Sequence, residues 1–316
     1  MNQPSSPLRP LLRPLCGASV QALALAALLA ALSWALPACA GDADDDPSQE
    51  PSHTDRMAAE HAGDRPVAGA AADAPSGVAE PPAGEVATER VVYATVGGKE
   101  VTGYLARPAA TTGGLPGVIV IHEWWGLNDN VETMARMLAH QGYAALAVDL
   151  YGGENAEGPE GARALMQEVM DDPAPAKDNL RQAHAYLTET LGAPSTGVIG
   201  WCFGGGWSLQ TALTIPELDA AVMYYGRVVT DPEELKALDA PLLGLFGEED
   251  QGIPVEGVRE MEAALETLGK DATVHVYPGA GHAFANPSGT HYVPEAAKDA
   301  WDKTTAFFAE HLKAGS

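Results

Sequence analysis

The chain has 316 residues, of which 46% are hydrophobic, and a formal net charge of -25. This length and composition fit a globular protein with a sizeable core. They argue against a nucleic-acid partner, because phosphate binding needs clustered Lys and Arg and the sequence shows no basic patch.

Residues 1–39 have the organisation of a bacterial signal peptide. Two arginines precede an uncharged apolar run at residues 18–36, and Leu-Pro-Ala-Cys-Ala follows at residues 36–40. This ending resembles a lipobox, which predicts that Cys39 is lipidated and that the protein is a lipoprotein of the cell envelope, at the outer membrane or in the periplasm. The same residues fit an ordinary signal peptidase site, so free secretion stays open, as does a retained transmembrane anchor.

Residues 40–87 are acidic, rich in Ala, Pro and Gly, and poor in large apolar side chains. Such a segment buries too little surface to offset its ordering entropy, so we expect a disordered linker, with an acidic interaction tail as the alternative. Membrane contact is then expected only through the lipid anchor. Of the three cysteines, Cys16 leaves with the signal peptide, Cys39 is at the processing site and Cys202 stands alone in the folded part. No disulfide is expected there.

From residue 88 to the end, short apolar runs alternate with amphipathic helical patterns. Strands are predicted at residues 90–96, 100–107, 117–122, 143–150, 196–201, 220–225, 241–246 and 273–277. Helices are predicted at residues 130–140, 160–170, 174–191, 203–213, 255–268 and 294–312. The later strands are continuously apolar, as in strands buried on both faces. This alternation predicts one α/β domain with a mostly parallel, doubly wound sheet and its site beyond the carboxyl ends of the strands.

The motif Gly-Trp-Cys-Phe-Gly-Gly-Gly at residues 200–206 lies between a predicted strand and a predicted helix. It has the pattern of the G-x-S-x-G nucleophile elbow of α/β-hydrolases, with Cys202 in the place of serine. The turn would present the sulfur at a helix N-terminus, which favours the thiolate. A phosphate-binding loop is the alternative, but the P-loop lysine and the G-x-G-x-x-G spacing are both missing.

A cysteine nucleophile needs a base and a carboxylate that orients it, in the chain order nucleophile, acid, base. His282 follows the last predicted strand in a loop of small residues, and we prefer it to the other candidates, His275, His291 and His311. Asp250 follows the strand at residues 241–246. Its neighbours Glu248 and Glu249 are the competing carboxylates.

The oxyanion of an acyl-transfer reaction needs two donors. The amide of Phe203 supplies one, and the amide of Trp124, in the loop after the third strand, is the candidate for the other. Glu123 would then lie beside the thiol. This mechanism requires neither a metal nor an organic cofactor, and the H-E-x-x-H zinc motif is absent.

Together these motifs resemble the dienelactone hydrolase family (carboxymethylenebutenolidases). The resemblance covers residues 88–313 and includes His-Glu-x-x-Gly-Leu-Asn at 122–128, Asp-Leu-Tyr at 149–151, Tyr-Tyr-Gly at 224–226 and Gly-His-x-Phe at 281–284. It implies an α/β-hydrolase fold and hydrolysis of an ester or lactone. It also implies that Glu123 contacts the resting thiol and helps to generate the thiolate when substrate binds.

The sequence departs from the family where dienelactone-cleaving members place two arginines for the substrate carboxylate. It has Gly152-Gly153 and Asn286-Pro287 there instead. We therefore expect small neutral or aromatic esters or lactones to be better substrates than dienelactone. Arg227 is either a replacement cation or a surface residue. Aromatic pocket residues are predicted at Trp125, Tyr151, Tyr224, Tyr225 and Phe284. The alternatives are an acyltransferase or peptidase on the same fold and a non-catalytic envelope binding module. We expect a monomer.

Overall fold

The computed structural model describes residues 53–60, 85–111 and 113–313. The predicted signal peptide, Cys39 and most of the predicted linker lie outside the described residues. The centre of the structure is an eight-stranded sheet in the order β1-β2-β4-β3-β5-β6-β7-β8. Its strands are β1 (Val86–Val96), β2 (Lys99–Pro108), β3 (Gly117–Ile121), β4 (Ala144–Val148), β5 (Thr196–Trp201), β6 (Ala220–Tyr224), β7 (Leu242–Gly247) and β8 (Ala272–Tyr277).

The sheet is parallel from β4 through β8, and β1 and β2 join its edge in antiparallel pairs. Every residue of β3, β4, β5, β6 and β7 is buried, which explains why these runs are continuously apolar in the sequence. The carboxyl ends of the parallel strands therefore meet at one edge of the sheet. The predicted mostly parallel α/β fold is confirmed for the described residues.

Helices cover both faces of the sheet, as the alternating pattern predicted. They are α1 (His53–Glu60), α2 (Asp129–His140), α3 (Pro159–Asp171), α4 (Ala174–Ala185), α5 (Phe203–Thr214), α6 (Pro232–Leu235), α7 (Val255–Thr267) and α8 (Pro294–Lys313). The helix predicted at residues 174–191 is shorter, because α4 passes into a π-helical turn at Tyr186–Thr190. α5 packs against β3, β5 and β6, so its first turn lies at the centre of the carboxyl edge.

Two parts of the segment predicted as a disordered linker are ordered. β1 begins at Val86, and α1 lies well inside the segment. Met57 of α1 is 1% exposed, α1 packs against α3, and Asp55 forms an ion pair with Arg163 of α3. A buried methionine and an ion pair thus help to dock this helix on α3, and composition alone did not show it. None of the helices in the described ranges is both long and apolar enough to cross a bilayer.

Candidate active site

Cys202 occupies the turn between β5 and α5 in a backbone conformation that non-glycine residues rarely adopt (φ 56°, ψ -117°). Among the described non-glycine residues, the other two with positive φ are Tyr225 and Ala283. Ala283 is adjacent to His282, and the Tyr225 ring packs edge-on against the His282 ring at 5.1 Å. Strained backbone of this kind costs about 1–3 kcal/mol per residue and is retained where the surrounding structure enforces it. In this protein the strain is concentrated around one cysteine and one histidine.

Glycines after Cys202 allow the elbow to pack against its neighbours. A β-carbon on Gly204 would lie within 2.5 Å of the His122 carbonyl oxygen, and one on Gly205 would clash with the Tyr224 carbonyl oxygen. The amide of Cys202 also donates a hydrogen bond of 3.0 Å to the Tyr224 carbonyl oxygen. The first turn of α5 is therefore held between the ends of β3 and β6, and this contact fixes the position of the sulfur.

His282 and Asp250 come together from the loops after β8 and β7. The Nδ1 atom of His282 lies 2.8 Å from Oδ2 of Asp250, and both side chains are buried. The second carboxylate oxygen of Asp250 accepts a hydrogen bond of 2.7 Å from the Ile253 amide. The two loops are tied by the Glu249 amide, which donates to the Ala280 carbonyl oxygen at 2.9 Å. Asp250, rather than Glu248 or Glu249, therefore lies against the imidazole.

The electrostatics of this group favour a charged imidazole. Burial by itself would lower the pKa of His282, but the negative charges of Asp250 and Cys202, with the hydrogen bond to Asp250, raise that pKa well above its ordinary value. Cys202 and Asp250 thus act on the same ring from two sides. This arrangement suits a cysteinate–imidazolium pair in which the carboxylate orients the ring.

The loop after β3 carries the second candidate oxyanion donor. Trp124 is 1% exposed and packs edge-on against Trp125. Sequence reasoning assigned no role to His122, whose Nδ1 donates to the Glu123 carbonyl oxygen at 2.6 Å while its Nε2 accepts from the Leu150 amide at 3.2 Å. Burial lowers the pKa of His122, which keeps the ring neutral and able to serve as both donor and acceptor. His122 therefore ties the loop to the end of β4. Phe203 is the first residue of α5, so its amide is one of the helix N–H groups without an intrahelical acceptor.

Glu123 is buried at this edge of the sheet, and its Oε2 atom accepts a hydrogen bond of 2.8 Å from Nδ2 of Asn286. Burial, followed by the charges of Glu123 and Cys202, raises the pKa of Tyr225 well above its ordinary value. The Tyr225 ring is thus close to both groups. No group of three or more His, Cys, Asp or Glu arranged to hold a metal occurs within the described ranges.

Known proteins resemble this chain in sequence and in fold. The sequence model of the dienelactone hydrolase family matches residues 101–312. A Salmonella typhimurium protein provisionally named carboxymethylenebutenolidase is 34% identical over 68% of this chain and 84% of its own length. The chain belongs to the dienelactone hydrolase family. A crystal structure of a provisionally named dienelactone hydrolase from Klebsiella pneumoniae has a TM-score of 0.65 at 30% identity and covers 71% of this chain and 99% of its own.

A second solved structure is P91, described as a dienelactone hydrolase-like promiscuous phosphotriesterase from metagenomic libraries. It has a TM-score of 0.67 at 26% identity and covers 72% of this chain and all of its own. With its curated and solved relatives, the family assignment makes the protein a carboxylic ester hydrolase. In this member, Asn286 occupies the position at which dienelactone-cleaving relatives were expected to carry the second arginine, and it bonds to Glu123 instead.

The pocket that contains Cys202 has a volume of about 480 Å³ and differs from the predicted one. None of the predicted aromatic residues is among its lining residues in the described part of the chain, although the Tyr151 ring lies 5.4 Å from that of Phe203, which does line it. Tyr224 lies outside this pocket because its hydroxyl is directed to α8, 2.7 Å from the Thr304 hydroxyl. Phe284 is fully buried beside Tyr224 and Tyr225, and Trp125 packs on Trp124.

Apart from Cys202, Phe203 and Arg227, the residues that line the pocket were missing from the sequence-based predictions. The lining residues come from α3, α4, α5 and the segment after β6, and include Met166, Met170, Lys177, Trp207, Gln210 and Arg227. One signal for them existed in the sequence. Gly206 and Gln210 follow Cys202 by about one and two helical turns and must share its face of α5.

Proposed function

We propose that the protein hydrolyses carboxylic esters or lactones through a triad of Cys202, His282 and Asp250. The Cys202 thiolate attacks the carbonyl carbon, and the amides of Phe203 and Trp124 hold the oxyanion. The His282 imidazolium then gives its proton to the leaving alkoxide, which leaves a thioester on Cys202. Water attacks the thioester while His282 accepts a proton, and release of the acid restores the thiolate and imidazolium.

The observation that carries this proposal is the hydrogen bond between Asp250 and the buried His282 ring, together with the strained elbow that holds Cys202 at the same edge of the sheet. A cysteine with a purely structural role does not require a strained turn at a helix N-terminus beside a histidine–carboxylate pair. Backbone strain of this kind is found mainly at functional sites. Asp250 in turn keeps two acceptor bonds, one to the ring and one to the Ile253 amide, so its carboxylate is fixed in orientation. Fixed orientation of the ring is what proton transfer in both directions requires.

Glu123 fits the thiol-gating role that the resemblance implied. Its carboxylate is buried next to Tyr225 and accepts a hydrogen bond from Asn286. When a substrate displaces Glu123 from the thiol, the neutral amide of Asn286 would continue to bind the displaced carboxylate. In the resting enzyme the carboxylate would limit oxidation of Cys202, which matters for an exported protein.

The test is turnover of a panel of p-nitrophenyl esters and lactones by the purified protein and by Cys202→Ala. The panel includes dienelactone, for which we expect a lower kcat/KM than for small neutral or aromatic esters, and a phosphotriester because of the activity named for P91. Hydrolysis that is lost in Cys202→Ala supports the proposal. Turnover that survives the substitution would overturn the cysteine mechanism, and no turnover by either protein would favour a non-catalytic envelope module.

We also propose export to the cell envelope, with lipidation at Cys39. The support is the order of charged, apolar and small residues at positions 1–40. Expression of the full chain with and without Cys39→Ser tests this proposal. Lipidation predicts that the native chain is found with membranes and that the variant is not, whereas an ordinary signal peptidase predicts a soluble exported protein in both cases.

A further inference from the structure

The pocket at Cys202, here called the groove, extends along α5. Cys202, Gly206 and Gln210 all line it, so it follows α5 for eight residues, or about 12 Å at 1.5 Å per residue. Its apolar lining comes from α3, α5 and the segment after β6, namely Met166, Met170, Phe203, Trp207, Val228 and Val229. Methionine side chains adapt to ligand shape, so two of them on one wall suit a flexible chain.

Two positive charges also line this groove. In a protein with a net charge of -25, most lysines and arginines of the described residues have a hydrogen-bond or ionic partner. Four within the described ranges have none, namely Lys99, Lys177, Arg181 and Arg227. Two of these four, Lys177 and Arg227, line the pocket of the nucleophile. An unpaired cation is unexpected where acidic side chains are abundant, and two beside one cysteine indicate a ligand with a negative charge.

The two cations come from different elements of the fold. Lys177 is half-buried on α4, and Arg227 lies in the segment after β6. The backbone of Arg227 is held against α5, because a β-carbon on Gly206 would lie 3.2 Å from the Arg227 amide nitrogen. Arg227 therefore starts one helical turn from Cys202. The sequence left it open whether Arg227 was a surface residue, and in the fold Arg227 is exposed to solvent and also lines the pocket.

Two carboxylates at the same end of the groove are already engaged. Asp231 accepts the Glu233 amide at 2.9 Å as the N-cap of α6, and Glu234 accepts from Nε2 of Gln210 at 3.1 Å. Neither is paired with Lys177 or Arg227. Both carboxylates keep their negative charge, but their hydrogen bonds are to neutral donors, so neither forms an ion pair with the two cations.

We propose, on the basis of the ester hydrolysis proposed above, that the preferred substrate is an ester with an apolar chain that ends in an anionic group such as a carboxylate. The scissile carbonyl lies at Cys202, the chain lies along α5 against the methionine wall, and Lys177 and Arg227 bind the anionic end. A small ester bound at Cys202 would not extend to Lys177 and Arg227. The preference for neutral esters that the sequence predicted therefore applies only to small esters.

The experiment compares two series of p-nitrophenyl esters at each chain length. One series contains monoesters of linear dicarboxylic acids, and the other contains the corresponding esters of monocarboxylic acids. We expect the ratio of kcat/KM for the anionic ester to that for the neutral ester to rise with chain length to an optimum. Lys177→Met and Arg227→Gln should each lower this ratio about tenfold, mainly through KM, because each removes a charge-assisted contact to the anion. Added salt should lower the ratio of the native protein as well.

Arg181→Gln and Lys99→Met are the matched controls, because both residues are unpaired cations outside the groove. The inference is overturned if the anionic-to-neutral ratio of kcat/KM in the native protein stays at or below one for every chain length. It is also overturned if the double variant Lys177→Met/Arg227→Gln has the same ratio as the native protein. Failure of the proposed hydrolysis is distinct, since it abolishes turnover in both series. In that case, calorimetry can measure the binding of monomethyl suberate and dimethyl suberate to Cys202→Ala with and without Lys177→Met. The inference holds if Lys177→Met weakens binding of the anionic monomethyl suberate and not of the neutral dimethyl suberate, and it fails if the two ligands respond alike.

Discussion

Asp250→Asn separates the orienting role of the carboxylate from its structural role. Asparagine keeps an oxygen that can accept the Ile253 amide, now bonded to Asp250 at 2.7 Å, so the turn after β7 should survive. The amide nitrogen would face Nδ1 of His282, where the carboxylate oxygen now lies at 2.8 Å. The N–H groups of asparagine and of Nδ1 cannot bond to each other, so the ring would present Nδ1 as an acceptor and carry its proton on Nε2. A protonated Nε2 cannot accept the proton that the reaction transfers to His282.

The expected loss in kcat is about three to four orders of magnitude, as in other triads in which an amide replaces the carboxylate. Three orders correspond to about 4 kcal/mol of transition-state stabilisation. The pH dependence should change as well. Because the pKa of His282 is raised in the native protein, the imidazolium and the stability it confers are present at neutral pH. Both are lost only as the pH rises through the pKa of the folded protein. Removing the Asp250 charge lowers this pKa, so the charged pair should be lost at lower pH.

The assay is ester turnover together with the pH profile of Cys202 alkylation by iodoacetamide, with a thermal melt to confirm folding. Glu248→Gln and Glu249→Gln are matched controls from the same loop, and each should retain native kcat. A loss of less than tenfold in Asp250→Asn, or an equal loss in either control, would show that Asp250 does not orient His282.

Three further substitutions test other parts of the structure. Glu123→Gln should lower ester turnover about tenfold while the melting temperature stays the same, since glutamine can still accept from Asn286; unchanged turnover would end the gating role. Gly204→Ala should lower the free energy of unfolding by about 3 kcal/mol or more in a denaturant titration. Gly206→Ala should lower it much less, because the atom nearest to the added β-carbon would lie at 3.2 Å. Equal losses in the two variants would refute the close packing of the elbow. Met57→Ala should increase hydrogen exchange at residues 53–60 without lowering the main melting transition; a large drop in that transition would show that α1 is part of the core.

The fold and the reactive groups were predictable because each depends on a local pattern. Continuous apolar runs mark strands buried on both faces, as in β3 and β5, and a glycine-rich turn between a strand and a helix marks an elbow. In a parallel sheet, loops after neighbouring strands meet at one edge. Cys202, Asp250 and His282 could therefore be placed together from their positions in the chain, and the structure brings them to one edge of the sheet.

The pocket could not be predicted in the same way, because it is formed by side chains from elements that are distant in sequence. Tyr224 ends a strand beside the nucleophile, but its side chain is directed to the face covered by α8. Lys177 and Met166 lie on helices that carry no catalytic motif and reach the groove only when α3 and α4 pack beside α5. Likewise, α1 lies in a segment of low apolar content, and Met57 is buried only when α1 packs on the folded domain, where it contacts α3. The sequence by itself determined the sheet and the reactive groups through local periodicity and strand order, while the tertiary packing of side chains decided what the pocket can bind.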